Sequence, residues 1–559
     1  METLKAKAKE LSRDFLENGT QYRLGFVEAE MSNPKTRQLG ETFTADTNAG
    51  IRTLISVDKD LISLFESAVF SESFDRFCYD IKTAIELGRR VFISGCGATG
   101  RLAMRLETSF RQAVNEASKN NPDALRYRNS VHEIMTGGDY ALIRSVESFE
   151  DYTELGCAQA NDAGISRGDI LIGVTATGET TSILGTAKQA LENGASVWMI
   201  VCTDPKTILG KLKRADDVYT NERCKSIYMH CGGMAVTGST RMQSSSIEQA
   251  VIGAALEIAL CEILGDTEPI QSKKNTLVKG FYECIGLLEN EKTIETLAKQ
   301  IDTEANLYEN GGHVTYFAEE YLLDVLADTT ERSPTFTTPP FRPQKRKDLT
   351  LSWAFVKNPS LDTVNAWRSA FERTPRCIEK SKSDYVAIGI PEGVVERIPN
   401  ISLDALYEFE IGYEPDSERE GENSLATWVA FSALPTDKFT EQAKKYANRS
   451  VITIGNANSI TTKTHMKLFE HLAMKMAINT VSTGTMAKMG RVRGNYMVHL
   501  NISNKKLVDR ATRIISDLCD VDYDTANYEL FYSKVLLESL GKERSTTIET
   551  IDRLGQKAR

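Results

Sequence analysis

Two short loops carry the residue types best suited to holding an anion. The first is GCGATGR at 95–101, after an apolar run at 91–94, and the second is TATGETTS at 175–182. Glycines let a backbone approach a ligand closely, and a helix that follows offers free N–H groups and a positive dipole end. Threonine hydroxyls can donate to phosphate oxygens. Helix packing or capping explains either loop alone, but the pair at neighbouring strand ends predicts a phosphate site.

The elements around these loops alternate between strand and helix. We predict a helix ending near 87, a strand at 91–94, a strand at 169–176, a helix at 182–193 and a strand at 197–202. Such βαβ order favours a parallel sheet with helices on both faces. Neither the Walker spacing nor an acidic residue ending a following strand is present, which argues against a nucleotide or dinucleotide.

The second half of the chain repeats this plan with different loops. GGHVTYF at 311 is similar to RRVFISG at 89, and the stretch from 426 runs strand, turn, helix, strand as the one from 169 does. After about 490 the chain turns helical, with Asp524 predicted as an N-cap. We predict four parts: a helical segment at 1–60 with a polar loop over 31–50, α/β domains at 61–270 and 271–490, and a helical domain at 491–559.

Composition excludes several classes of protein. The net charge of -10 over 559 residues disfavours a nucleic-acid binder. The longest apolar stretches, such as SVWMIVC at 196–202, are too short to cross a membrane, and no signal-peptide core is visible, so we expect a cytoplasmic protein. His230, Cys231 and Cys224 lack a fourth partner at usable spacing, so we expect no metal and no cofactor.

Several segments together resemble one family. GCGATGR, MTGGDYALIRSVESFED at 135, TGSTRM at 237 and NTVSTGTMAKMGRVRGNYMVHLNISNKKL at 479 are similar to the N-acetylmuramic acid 6-phosphate etherases and glucokinase regulatory protein. Both are built on sugar isomerase (SIS) domains. The resemblance implies an α/β fold of two tandem SIS domains, which are Rossmann-like parallel sheets flanked by helices, with a helical C-terminal cap. Two SIS-like halves in one chain resemble the regulatory protein more closely than an etherase.

The resemblance also implies roles for single residues. Sugar-phosphate contacts fall on Gly97, Thr99, Gly100, Thr177 and Thr180, with Thr99 where the family usually has serine.

Groups that the resemblance implies for catalysis are divided between the halves. The second glutamate of the etherase motif corresponds to Glu150. The position of the other etherase carboxylate corresponds to Ser109 in the first half and to Glu331 in the second. The position of a family lysine corresponds to Gln249 in the first half and to Lys475 in the second. A composite site, with Glu331 and Lys475 reaching a ligand held by the first-half loops, requires the two halves to pair within the chain.

Three functions stay open at this point. A binder of a hexose 6-phosphate that senses the sugar is ranked first, and the resemblance implies a sugar kinase as its partner. An etherase-like carbon–oxygen lyase would use Glu150 and Glu331 to release D-lactate from an amino-sugar 6-phosphate. A sugar-phosphate isomerase fits the fold but not the order of the motifs.

Overall fold

The computed structural model describes residues 2–502, 504–542 and 544–557. The chain opens with four helices, α1 (Glu2–Asn18), α2 (Leu39–Ala45), α3 (Thr47–Val69) and α4 (Glu72–Glu86). The polar loop predicted over 31–50 is wrong in its second part, which holds α2 and the start of α3. Asp46 explains this, because its side chain accepts hydrogen bonds from Asn48 N and Ala49 N and so caps α3, while Leu39 and Phe43 bury the apolar side of α2.

The first sheet is parallel throughout, with strand order β2-β1-β3-β4-β5. Its elements are β1 (Val91–Gly95), α5 (Ala98–Ser118), β2 (Val131–Met135), α6 (Tyr140–Ile143), α7 (Thr153–Asp162), β3 (Ile170–Val174), α8 (Thr181–Glu192), β4 (Ser196–Val201), α9 (Lys213–Tyr219) and β5 (Cys224–Tyr228). The predicted strands and helix of this half are confirmed to within a few residues.

Three long helices follow, α10 (Gln243–Ile263), α11 (Ile270–Leu288) and α12 (Glu291–Glu309). The second sheet is again parallel, in the order β7-β6-β8-β9. It is built from β6 (His313–Phe317), α13 (Leu322–Phe336), β7 (Ala354–Lys357), α14 (Thr363–Phe371), α15 (Lys382–Ala387), α16 (Glu392–Val395), α17 (Leu403–Tyr407), β8 (Gly421–Phe431), α18 (Asp437–Ala443) and β9 (Tyr446–Ile454). In both sheets the second strand along the chain lies at one edge and pairs with the first strand, and the third and fourth strands follow on the other side of the first. This shared strand order confirms the internal repeat.

The remaining elements are α19 (Leu468–Lys488), the short pair β10 (Val492–Arg493) and β11 (Tyr496–Met497), and the helices α20 (Lys505–Cys519), α21 (Tyr523–Leu540) and α22 (Thr546–Lys557). Asp524 is not the N-cap predicted for α21, because the Asp522 side chain accepts the Thr525 N–H and Asp524 lies inside the first turn. Side chains of α1, including Ala8 and Phe15, share one apolar cluster with α20 and α21. The division into four domains stays a prediction.

Buried ion pairs join the two halves. Arg373, from the loop after α14, pairs with Glu107 of α5 at 3.2 Å, Glu133 of β2 at 2.7 Å and Asp139 at 2.5 Å. Arg376 adds a 2.9 Å contact to Glu133. We call these five residues the arginine latch. Because its carboxylates are almost fully buried, the arginines of the other half help to offset the cost of their burial, together with Arg111, which pairs with Glu107 at 2.9 Å.

The C-terminal helices are attached to the N-terminal region in a similar way. Glu30, 1% exposed, accepts from Arg510 at 2.6 Å and from Arg513 at 2.8 Å. Burial alone would raise the pKa of Glu30, but these arginines lower it to about 2. Arg510 and Arg513 therefore attach α20 to the N-terminal segment. Among the residues that the structure describes, no helix combines the length and apolar character that a membrane span requires.

Candidate functional site

The two predicted loops leave adjacent strands at the same edge of the first sheet. β1 pairs with β3 in parallel, so GCGATGR and TATGETTS lie side by side. Gly97 is the N-cap of α5 with φ +56° and ψ -120°, a conformation that favours glycine, and a Cβ built there meets no atom within 4 Å. The backbone at Gly97 therefore faces open space.

The threonine hydroxyls of these loops are held within the loops. Thr99 Oγ1 accepts from Cys96 N at 2.9 Å and donates to Cys96 O at 3.0 Å. Thr177 Oγ1 donates to Glu179 Oε1 at 3.3 Å, and the hydroxyls of Thr180 and Thr175 lie 2.9 Å apart. Neither Gly97 nor Thr180, the N-caps of α5 and α8, provides a side-chain hydrogen bond to its helix. The first-turn N–H groups of both helices thus lack side-chain caps at the same sheet edge.

A lysine missed by the sequence reasoning lies beside these loops. Lys506, in the first turn of α20, places Nζ 3.7 Å from Glu150 Oε1 and 3.6 Å from Glu179 Oε1. Burial disfavours its charge, but Glu150, Glu179 and Glu30 raise the pKa of its ammonium above the ordinary value. Within the described ranges, its Nζ makes no hydrogen bond of 3.5 Å or less. The segment NISNKKL contained this lysine, yet no spacing rule could place a C-terminal residue beside a loop at 175–182.

Glu150 faces this loop cluster. It lies in a 3₁₀ turn, Glu147–Asp151, and its side chain is 34% exposed. Burial and the neighbouring Glu150 raise the pKa of Asp151 to about 6. The carboxylates of Glu150, Asp151 and Glu179 and the cations of Lys506 and Arg214 therefore lie around the predicted phosphate loops.

Glu331 and Lys475 line a different space, a cavity between the halves. Its volume of about 30 Å³ is enough for one or two water molecules. Ala98 and Arg101 of the first loop also line it, whereas Thr99, Thr177, Thr180 and Glu150 do not.

Arg101 connects this cavity to the first loop. Its guanidinium lies 3.5 Å from Glu331 Oε1 and donates to Leu142 O at 2.9 Å. Burial lowers the pKa of Arg101. The cavity thus adjoins the first turn of α5, which carries Gly100 as well.

Lys475 is already saturated by protein acceptors. Its Nζ lies 2.8 Å from Ser246 Oγ, 3.2 Å from Asn479 Oδ1 and 3.1 Å from Arg241 O. Burial lowers the pKa of its ammonium. Gln249, its counterpart in the first half, lines the same cavity, and Ser109 accepts from Arg105 Nε at 3.2 Å. The composite site stays a prediction: its two parts adjoin, but the side chains make no direct contact in this structure.

The corresponding loop of the second half carries carboxylates. Glu319 Oε1 accepts from Ser360 Oγ at 2.7 Å and from Thr436 Oγ1 at 3.3 Å, and Glu320 forms an ion pair with Lys467. An anion would be repelled where the first half has glycines.

Comparison with known proteins agrees with the sequence resemblance. Residues 76–191 match the family model of the glucokinase regulatory protein N-terminal SIS domain. An N-acetylmuramic acid 6-phosphate etherase from Aliivibrio fischeri (strain MJ11) is 27% identical over 202 residues, which is 36% of this chain and 59% of that protein. N-acetylmuramic acid 6-phosphate etherase 1 from Bacillus licheniformis is 25% identical over 247 residues, covering 43% and 70%. Residues 76–191 are therefore similar to a SIS domain, and the chain is similar to these etherases, which confirms the resemblance.

Among solved structures, tagatose-6-phosphate ketose/aldose isomerase from Escherichia coli is similar with a TM-score of 0.40 and 8% identity, over 76% of this chain and 92% of that one. The aligned stretch spans 59% of the length of the Aliivibrio relative.

Proposed function

We propose that this protein binds a phosphorylated sugar at the two loops of the first half. The observation that carries the proposal is the meeting of two helix N-termini without side-chain caps and the Lys506 ammonium at one sheet edge. Backbone N–H groups at helix starts and a lysine are the groups that bind phosphate. Gly97, Thr99, Gly100, Thr177 and Thr180 would line the phosphate, with Glu150 beside the sugar.

The favoured role is that of a sensor of a hexose 6-phosphate, similar to glucokinase regulatory protein. Two features support this role. Residues 76–191 match the model of that protein's N-terminal SIS domain, and the second half has Glu319 and Glu320 where the first has its glycine loop. One phosphate site per chain follows. Occupancy would change the affinity for a protein partner, and a sugar kinase in the cytoplasm is the partner we propose.

An etherase-like activity is the second candidate, supported by the relatives and by the position of Glu331. In such a reaction one glutamate removes a proton from the sugar while the other protonates the departing lactate oxygen, and water then adds to the resulting double bond. Glu331 lies on the cavity that Arg101 joins to the first loop. Movement of the halves would be needed to admit a sugar, because the cavity holds only one or two waters.

Thermal denaturation with hexose 6-phosphates and their unphosphorylated parents tests the binding proposal. A rise in Tm with the phosphorylated sugars only is expected, since a ligand that binds the native state stabilises it. Equal shifts with both sets, or none, would contradict it.

Incubation with N-acetylmuramic acid 6-phosphate, with an assay for lactate, separates the two roles. A sensor releases none. An etherase releases lactate, and Glu150→Gln and Glu331→Gln should each abolish the release while phosphate-dependent stabilisation persists.

A further inference from the structure

Three side chains with metal-binding atoms meet where the two halves touch, away from the sugar site. Glu257 and Cys261 lie one turn apart on α10, and His465 lies just before α19 in the second half. Cys261 Sγ is 3.8 Å from Glu257 Oε1, and His465 Nδ1 is 3.7 Å from the same oxygen. All three ligand atoms lie within 4.8 Å of one another.

The two separations from Glu257 Oε1 are close to those around a tetrahedral ion. Zinc bonds of about 2.3 Å to sulfur and about 2.0 Å to nitrogen or oxygen place neighbouring ligand atoms roughly 3.3–3.5 Å apart. The two distances from Glu257 Oε1 exceed this by a few tenths of an ångström, which side-chain rotation can supply. Thiolate, imidazole and carboxylate are also the ligand types that zinc accepts.

The charge balance points to a cation as well. Glu257 is 4% exposed, and within residues 2–502, 504–542 and 544–557 no lysine or arginine lies within 4.0 Å of its carboxylate. The backbone N–H groups of His465 and Met466 donate to its two oxygens and fix its orientation. A carboxylate has further lone pairs, so these bonds leave room for a metal. Glu30, a buried carboxylate of the N-terminal segment, is by contrast paired with Arg510 and Arg513.

We propose that Glu257, Cys261 and His465 bind one Zn²⁺, with a water molecule in the fourth position on the exposed side of His465. On binding, the Cys261 thiol loses its proton to solvent as the sulfur–zinc bond forms, and no electron is transferred. The ion would join α10 to the segment ten residues before Lys475. It would therefore hold the two halves together independently of the arginine latch.

Cobalt(II) substitution in the full-length protein, after treatment with a chelator, tests the site. A cobalt–thiolate charge-transfer band that saturates at one ion per chain and disappears on addition of Zn²⁺ is expected. Cys261→Ser should remove the band, and Cys519→Ser, which changes a cysteine of similar exposure elsewhere, should leave it unchanged.

His465→Gln provides a second test in case the Cys261→Ser variant does not fold, because the imidazole is 43% exposed and its replacement should disturb the fold little. This variant should raise the Kd for Zn²⁺, measured by competition with a chromophoric chelator, roughly tenfold or more. Absence of the band in the wild-type protein, its persistence in Cys261→Ser, its loss in Cys519→Ser or an unchanged Kd in His465→Gln would each overturn the proposal.

Discussion

Replacing Lys506 by methionine should weaken binding of a hexose 6-phosphate far more than the same change at Lys475. The Lys506 Nζ lies 3.6 and 3.7 Å from two carboxylates, beyond hydrogen-bond distance, so its donors are available to a phosphate. A charge-assisted hydrogen bond is worth about 1.5–3 kcal/mol, which corresponds to roughly 10- to 150-fold in Kd. The variant also leaves Glu150 without its lysine counter-charge near the anion, which acts in the same direction, while Glu179 keeps its ion pair with Arg214 at 2.5 Å.

Lys475→Met is the matched control, since the same chemical change occurs at a lysine whose donors already reach Ser246, Asn479 and a backbone carbonyl. We expect less than a tenfold loss of affinity there, together with a lower Tm. Isothermal titration calorimetry of both variants, with circular dichroism to establish that they are folded, gives the comparison. An equal or larger loss at Lys475 would refute the assignment of phosphate to the first-half loops. It would support the composite site instead.

Three further outcomes are expected. Glu30→Gln should lower the unfolding free energy at pH 7 by about 3 kcal/mol, because a pKa of about 2 against 4.5 stabilises the ionised form. This difference in unfolding free energy should be complete above pH 4.5 and vanish as the pH falls towards 2. Urea unfolding at several pH values measures it, and a difference that does not change with pH would contradict the prediction. Asp139→Ala should cost about 3–5 kcal/mol by removing one of the three buried carboxylates that pair with Arg373 in the latch, whereas a loss under 1 kcal/mol in urea unfolding would argue against the latch. Gly97→Ala should cost about 1–3 kcal/mol through its positive φ and weaken sugar binding, and calorimetry that finds full affinity would show that this loop does not hold the ligand.

Local sequence signals were sufficient for the first sheet and its two loops. The strand predicted at 169–176 is found at Ile170–Val174, and the helix predicted at 182–193 at Thr181–Glu192. Apolar runs that end in glycine determine such elements over a few residues, and the internal repeat then predicts the second sheet. The first residue of a helix was less predictable where two nearby aspartates could each act as the N-cap, as Asp522 and Asp524 could before α21.

The charges around the site depend on contacts distant in sequence. Lys506 reaches Glu179 across more than 300 residues, and Arg373 reaches Glu107 across 266. No spacing pattern records which charged residue of one half meets which of the other. The sequence therefore identified the loops that face a ligand but not the lysine beside them.

The arginine latch has a consequence for how the two halves can diverge. Two bodies joined in one chain meet at an effective concentration on the order of millimolar, so a contact with an intrinsic Kd of roughly 10 µM would leave only about 1% of molecules open. Dilution in the cell does not weaken such a contact, unlike one between separate subunits. Arg373 and Arg376 thus hold the second half against the first, and this contact does not require a ligand at the edge of the second sheet. A half retained in this way can exchange its glycines for Glu319 and Glu320 and still support its neighbour.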